Sequence, residues 1–151
     1  MSRRAVLMEA LAATQSDLER LARRLDPATA ARRPAPESWS VAEVVAHMAE
    51  IEARYRDQLR QTLIDDHPTL SPLVPDEAAH DTLPLPELVA AFVAARAATL
   101  ALLAEVPQGD WGRPLTHPTL GSTRFRELVQ ALVSHDNEHL AQIAAIREQL
   151  P

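Results

Sequence analysis

Two histidines in the C-terminal part of the chain, His135 and His139, stand four residues apart. On a helix this spacing places both imidazole rings on one face, about one turn apart. Two imidazoles so placed can bind one metal ion, as they do in zinc helices of the HExxH type. The segment is not HExxH, because Glu138 precedes the second histidine and no glutamate follows the first. His135 and His139 are therefore predicted metal ligands.

A third histidine, His47, lies on the inward arc of another predicted helix, between Val44 and Ile51. Three imidazoles would leave coordination positions open, which is typical of a catalytic metal site. Neutral imidazole binds zinc, nickel, copper or iron, so the spacing does not identify the metal. The alternative is a set of hydrogen-bonded core histidines without metal. Without a metal, several ring nitrogens of three buried imidazoles would need hydrogen-bond partners in the core. This requirement favours the metal-site interpretation.

Two polar residues follow the predicted ligands at helical spacing. Glu50 is three residues after His47, and Gln142 is three residues after His139. Either side chain is predicted to hydrogen-bond a ligand nitrogen or a water on the metal. No other catalytic residue can be assigned from the sequence.

The remaining polar residues near these positions are predicted to be peripheral. Asp136 and Glu138 flank the histidine pair and are expected to point partly away, as surface or interface acids. His67, His80 and His117 fall in loops and are expected to face solvent, with His117 overhanging the site as the alternative. Trp39, at the start of the second helix, is interpreted as a staple or core anchor, and Trp111 as either a packing lid or part of a pocket rim.

Composition excludes several classes of chemistry. The chain has no cysteine, and all 15 basic residues are arginine. Disulfides, thiolate metal sites, cysteine nucleophiles, lysine Schiff bases and P-loops are therefore ruled out. The net charge of -6 argues against a nucleic-acid-binding protein. No apolar run approaches the ~18 residues of a membrane span, and no signal peptide is recognisable, so the protein is expected to be cytoplasmic.

The elements that must position the histidines are four amphipathic helices, separated by proline-containing segments. The apolar periodicity places them at about 2–25, 38–63, 86–106 and 122–149. Ser40 and Glu43 have the spacing of a capping box at the second helix. The third helix is predicted to bury Leu88, Phe92, Ala95, Thr99, Leu102 and Val106, and the fourth to bury Phe125, Leu128, Leu132, His135, His139, Ile143 and Ile146. We therefore predict one all-α domain over 1–151, a four-helix bundle with a crossing connection at 65–86.

Three segments together resemble the DinB/YfiT-like superfamily: residues 39–48, residues 117–121 and the run from His135 to Ile143. The resemblance implies an up-down-down-up four-helix bundle, often dimeric. It also implies a divalent metal ion, commonly zinc or nickel, held by a histidine triad that matches His47, His135 and His139. Some relatives are thiol-dependent transferases or isomerases, in which the metal activates a low-molecular-weight thiol such as mycothiol or bacillithiol.

These observations favour a metal-dependent enzyme, specifically a thiol S-transferase acting on a small electrophile. A metal-dependent hydrolase is the nearest alternative. A non-catalytic, stress-related metal-binding or interaction protein, or a helical module without metal, remains open. We expect a small-molecule substrate and no nucleic-acid or membrane partner. A homodimer is also expected, and the third helix offers an alanine-rich face for it at Ala94, Ala97, Ala98 and Ala101.

Overall fold

The computed structural model describes residues 1–75 and 83–150 as a bundle of four long helices. A short helix, a 3-10 turn and a two-stranded hairpin complete the described elements. In chain order they are α1 (Arg3–Arg23), α2 (Pro27–Ala31), α3 (Val41–Ile64), α4 (Leu85–Glu105), the 3-10 turn (Gln108–Gly112), β1 (Pro114–His117), β2 (Gly121–Arg124) and α5 (Phe125–Gln149). The predicted all-α four-helix architecture is confirmed by the long helices α1, α3, α4 and α5.

The start of α3 is fixed by the predicted capping box. The Ser40 hydroxyl accepts from the Glu43 amide at 3.1 Å, and the Glu43 carboxylate accepts from the Ser40 amide at 3.2 Å. Both amides would otherwise lack partners at a helix N-terminus. Arg33 holds the same carboxylate through two 2.7 Å hydrogen bonds and lowers the pKa of Glu43. The cap therefore sets where α3 begins, and with it the depth of His47 in the bundle.

Contacts between the helices define an up-down-down-up arrangement. Arg3 at the start of α1 pairs with Glu127 at the start of α5, so these two helices run in the same direction. Arg4 reaches the carbonyl groups in the last turn of α4, so α4 runs opposite to α1. The His47 ring, early in α3, lies 4.7 Å from that of His139, whereas the Tyr55 ring, about two turns later, lies 5.9 Å from that of the earlier residue His135, so α3 runs opposite to α5. Since α3 and α4 are parallel neighbours, the long connection between them must return the chain to the starting end.

Two predictions about the elements need correction. The fourth long helix begins at Phe125 and not at 122–123, because Gly121–Arg124 pair with Pro114–His117 as an antiparallel hairpin. Gly121 adopts φ 70° at the turn, a conformation that residues with a Cβ rarely adopt. The segment predicted as a loop after α1 contains the helix α2, which Asp26 caps through the Thr29 amide.

The core contains two apolar clusters separated by one polar layer. Leu18, Met48, Phe92 and Leu140 belong to one cluster, and Leu11, Leu59, Leu103 and Val133 to the other. Between those positions lie the buried polar side chains that form the polar layer, which draws on all four long helices: Thr14, Glu52, Arg96 and Asp136.

The polar layer corrects two sequence predictions. Arg96 and Leu103 are fully buried in α4, whereas the predicted Ala95 and Leu102 are only half-buried. Asp136 is 1% exposed, so its prediction as a surface acid was wrong. The physical reason is that successive buried positions are three or four residues apart, and a charged residue can occupy such a position when fully paired.

One helix, α4, is long and apolar enough to meet a membrane-span criterion by length and composition alone. Its residues Leu88 and Phe92 are buried in the bundle, and 28% of its apolar window is buried in all.

Candidate metal centre

The three predicted ligands come together between α3 and α5. His47 lies in the second turn of α3 and is 5% exposed, while His135 and His139 are half-buried on α5. The fully buried face of α5 runs through Asp136 and Ile143. The histidine pair therefore lies at the edge of that face, toward α3, and not at its centre as the periodicity predicted.

The imidazole nitrogens converge to coordination distances. His135 Nε2 lies 3.3 Å from His47 Nε2 and 3.0 Å from His139 Nε2. Ligand nitrogens about 2.1 Å from a common ion stand roughly 3.0–3.4 Å apart for bond angles between 90° and 109°. In the described part of the chain this is the one group of three histidine or acidic residues positioned to hold a metal ion. The geometry thus fits a three-histidine site, and the metal itself stays a prediction.

His135 is the central member of this cluster. Burial, followed by the proximity of His139 and His47, lowers the pKa of His135 to about 3. The ring is therefore neutral at neutral pH, which is the protonation state that a metal ligand requires.

This lowered pKa predicts an acid-sensitive fold in the metal-free protein. Because the folded-state pKa is below the unfolded value of 6.5, the folded state binds fewer protons. Stability is therefore lost as the pH falls from 6.5 towards 3, at about 1 kcal/mol per pH unit or less. Urea unfolding at pH 6.5, 5.5 and 5 should show this slope, and His135→Gln should make it shallower. Equal slopes in both proteins would contradict the assignment.

Gln142 orients one of the three rings, as its spacing predicted. Its Oε1 lies 2.8 Å from His139 Nδ1. An amide oxygen only accepts, so Nδ1 carries the proton and Nε2 presents its lone pair to the other two histidines. Glu50 forms a 2.8 Å ion pair with Arg54 on the next turn of α3. Its predicted contact with a ligand or a metal-bound water therefore stays a prediction.

The hydrogen bond to His139 predicts a measurable contribution of Gln142. Gln142→Leu should weaken zinc or nickel binding about 10- to 100-fold, since it removes the acceptor that fixes the ring. Gln149→Leu is the matched control, because Gln149 lines the same groove without a described bond to a histidine. Calorimetric titration measures both variants, and equal affinities would remove Gln142 from the site.

The cluster opens into a surface groove of about 570 Å³. Trp39, Ile146 and Gln142 line this groove together with His47 and His139. The Trp39 ring lies 5.2 Å from the His47 ring, centroid to centroid. The floor of the groove is thus partly apolar, with imidazole nitrogens at one end.

Tyr55 covers another side of the cluster, with its ring 5.9 Å from that of His135. Burial, followed by the Glu138 and Asp136 carboxylates, raises the pKa of Tyr55. The phenol therefore stays protonated at neutral pH and can donate a hydrogen bond.

Two of the other histidines, His67 and His117, do not join the cluster. His67 is exposed and contacts Thr116, as expected for a loop residue. His117 is half-buried on β1, where its Nδ1 accepts from the Thr119 and Leu120 amides and holds the hairpin turn. Its prediction as a solvent-facing loop residue was therefore wrong. The prediction for His80 lies outside the described residues.

Comparison with known proteins identifies the family. A model of the DinB superfamily matches residues 10–143, a range that includes all three histidines. The chain belongs to the DinB superfamily.

One relative matches most of the chain at low identity. The uncharacterized protein YuaE of Bacillus subtilis is 24% identical over 136 residues, covering 79% of this chain and 83% of YuaE.

Solved structures share the fold. YfiT from Bacillus subtilis has a TM-score of 0.82 and 18% identity, covering 99% of this chain and 89% of YfiT. It is described as a probable metal-dependent hydrolase with an unusual four-helix bundle topology. The four-helix bundle protein TT2238 has a TM-score of 0.72 at 22% identity, covering 94% of this chain and 98% of TT2238. A conserved protein from Enterococcus faecalis has a TM-score of 0.76 at 16% identity, covering 99% of this chain and 97% of that protein.

In this DinB-superfamily chain, sequence reasoning missed the polar layer beside the metal centre. Arg96 Nε and Nη2 donate to both Glu52 oxygens at 2.7 and 2.9 Å, and Nη2 also lies 2.8 Å from Asp136. Thr14 donates to Asp136 at 2.5 Å. One signal in the sequence could have revealed this layer. Arg96 follows Phe92 by four residues, so it occupies the next position on the apolar face of α4.

Proposed function

We propose that this protein is a metal-dependent enzyme in which His47, His135 and His139 hold one divalent ion, zinc or nickel. The convergence of three Nε2 atoms beside an open groove carries this proposal. Three imidazoles suit both metals, and they leave room for a further ligand from solvent or substrate. The metal-dependent description of the structurally similar YfiT supports the same view.

Within that class we propose a thiol-dependent S-transferase that acts on a small electrophile. When bound, a divalent ion supplies Lewis-acid chemistry that lowers the pKa of a coordinated thiol or water. The chain has no cysteine, so the thiol must come from a low-molecular-weight cosubstrate. In the transfer, the thiol sulfur forms a bond to the electrophilic atom, the leaving group departs with its electron pair, and the thiol proton passes to solvent.

The groove supports a small and largely apolar electrophile. Trp39 and Ile146 offer apolar surface, and Gln142 and Gln149 offer amide groups that can orient a polar substituent. The described lining includes the acidic residue Glu37 and no arginine, so its side chains other than the proposed metal ligands add no positive charge for an anionic substrate. Tyr55 does not line the groove; it stands beside His135 on another side of the cluster as a protonated phenol.

Hydrolysis is the second candidate, and one specific observation favours it. YfiT shares the fold and is described as a probable metal-dependent hydrolase. The same arrangement of histidines would then activate water, with no thiol required.

One experiment separates these functions. Metal-loaded protein is incubated with a chromogenic electrophile such as chlorodinitrobenzene, with and without low-molecular-weight thiols, and in parallel with chromogenic esters. A transferase requires thiol, whereas a hydrolase cleaves esters without it. His139→Ala should abolish either activity, and His67→Ala, which changes an exposed histidine outside the cluster, should retain it. Turnover that persists in His139→Ala would exclude this centre, and metal binding without any turnover would favour a non-catalytic metal-binding protein.

We also propose that the protein is a cytoplasmic homodimer. The exposure of Ala94, Ala97, Ala98 and Ala101 on the outer face of α4 supports close packing against a second copy. Light scattering at two protein concentrations measures the mass, and Ala97→Glu should produce monomer. A monomeric mass for the unmodified chain would exclude the dimer.

A further inference from the structure

A second pocket lies near the start of α5, away from the histidines. It has a volume of about 370 Å³, and three arginines line it: Arg3, Arg4 and Arg126. Trp111 and Gly112 also line it, and we call these five residues the arginine pocket. Arg126 precedes His135 by nine residues on the same helix, which corresponds to about 14 Å along its axis. The arginine pocket is therefore separate from the metal centre.

The charges around the arginine pocket are not balanced. Glu127 is the carboxylate that pairs with these arginines, lying 2.9 Å from Arg3 Nη2 and 3.7 Å from Arg126 Nε. Arg4 uses Nη2 to donate to carbonyl groups of α4, and its guanidinium stacks on the Trp111 ring at 5.5 Å. Among the described contacts, Arg3 and Arg126 thus share the Glu127 carboxylate, and Arg4 contacts carbonyl groups and an indole ring, in a chain whose net charge is -6.

Arg126 is the least engaged of the three arginines. Its 3.7 Å contact with Glu127 exceeds hydrogen-bond distance, and no hydrogen bond to Arg126 is formed within residues 1–75 and 83–150. A Cβ placed on Gly112 would lie 3.7 Å from Arg126 Nη1, so the guanidinium lies against a residue without a side chain. Its donors are therefore available to a ligand in the pocket.

The backbone adds positive potential at the same place. α5 is 25 residues long and begins without a side-chain cap, since Arg124 occupies the N-cap position. A helix N-terminus favours anions and disfavours cations, yet Arg124 and Arg126 both lie there. An oxyanion in the pocket would offset this repulsion.

Trp111 supplies an independent observation. The residue is 4% exposed and lines the arginine pocket, and its Nε1 is buried with no hydrogen-bond partner among the described residues. A buried N–H without an acceptor costs free energy, so such groups are rare in folded proteins. The Trp111 indole thus lies in the wall of the arginine pocket and can report a ligand bound there.

We infer that the arginine pocket binds a small oxyanion, either a phosphoryl or a carboxylate group. Arg126 donates to it, Arg3 and Arg4 contribute charge, and Trp111 forms part of the pocket wall. Guanidinium groups and helix N-termini are the features with which proteins recognise both oxyanions.

The test follows the Trp111 indole resonance by ¹H–¹⁵N NMR during titration with inorganic phosphate at constant ionic strength. Trp39→Phe assigns the two indole peaks. We expect a saturable shift of the Trp111 peak, and Arg126→Ala should weaken binding about ten-fold or more. Glu127→Gln should tighten it, because it removes the competing carboxylate. A parallel titration with acetate shows whether phosphoryl or carboxylate groups bind more tightly.

Arg20→Ala is the matched control, since Arg20 is exposed near the other end of α1 and pairs with Asp17. It should leave phosphate binding within about two-fold of the unmodified protein. Circular dichroism checks that each variant is folded. A shift that does not saturate with either anion, or equal weakening by Arg126→Ala and Arg20→Ala, would overturn the inference.

Discussion

Arg96→Met is expected to destabilise the folded protein by roughly 3–5 kcal/mol, the usual cost of breaking a buried ion pair from one side. Arg96 is fully buried, as are its partners Glu52 and Asp136. Methionine fills much of the same volume but donates nothing, so two carboxylates would stay buried without their cation. Burial lowers the pKa of Arg96, but Glu52 and Asp136 outweigh it and leave the pKa above its usual value. The guanidinium is therefore always charged in the native protein.

The hydrogen bonds of Arg96 explain why the expected effect is large. Nη1 donates to the Leu11 carbonyl at 2.8 Å and to Thr14 at 3.2 Å, in addition to the bonds with both carboxylates. The side chain thus connects all four long helices. Its loss affects the whole bundle and not one helix pair.

Urea unfolding measures this loss against two controls. Arg60→Met removes an exposed pair with Asp57 and should cost less than about 1 kcal/mol. Replacing Arg96, Glu52 and Asp136 together by apolar residues should recover much of the stability, because no unpaired charge remains. A loss below about 1 kcal/mol for Arg96→Met would show that the polar layer is not a buried ion-pair network.

His135→Ala is expected to weaken zinc or nickel binding by more than about 100-fold, which exceeds the effect of losing a residue that only orients a ligand. His135 lies within 3.3 Å of both other ligands, so its removal leaves two imidazoles without the central nitrogen. Competition with a chromophoric chelator measures affinities in this range.

The same substitution has a consequence for stability. At a free metal concentration about 1,000 times the dissociation constant, a bound ion stabilises the native state by about 4 kcal/mol. The unmodified protein and His67→Ala should show this gain on thermal unfolding, and His135→Ala should not. An equal gain in all three proteins would place the ion elsewhere.

Local signals in the sequence were sufficient for the helices and the histidine cluster. The Ser40–Glu43 capping box acts within one turn, so its spacing alone predicts where α3 begins. The four-residue spacing of His135 and His139 and the inward position of His47 depend only on helix geometry. Gln142 was found in the same way, because its contact with His139 lies on one helix.

Features that depend on packing between helices were not predictable in this way. Arg96 occupies a core position only because Glu52 and Asp136 meet it from two other helices. The start of α5 was predicted too early because the preceding residues form the strand β2, whose hydrogen-bond partners lie on β1. Pro114 and Arg124, for example, are paired although they are ten residues apart in the chain. The arginine pocket joins residues from α1, the 3-10 turn and α5, which no local pattern connects.

Metal content tests the central claim most directly. Untagged protein, purified without chelator or nickel resin, is analysed by plasma mass spectrometry beside the His135→Ala/His139→Ala double variant. The geometry predicts close to one zinc or nickel ion per chain in the unmodified protein and none in the variant. A protein that contains no metal as purified, and takes up none on reconstitution with either ion, would contradict the three-histidine metal centre.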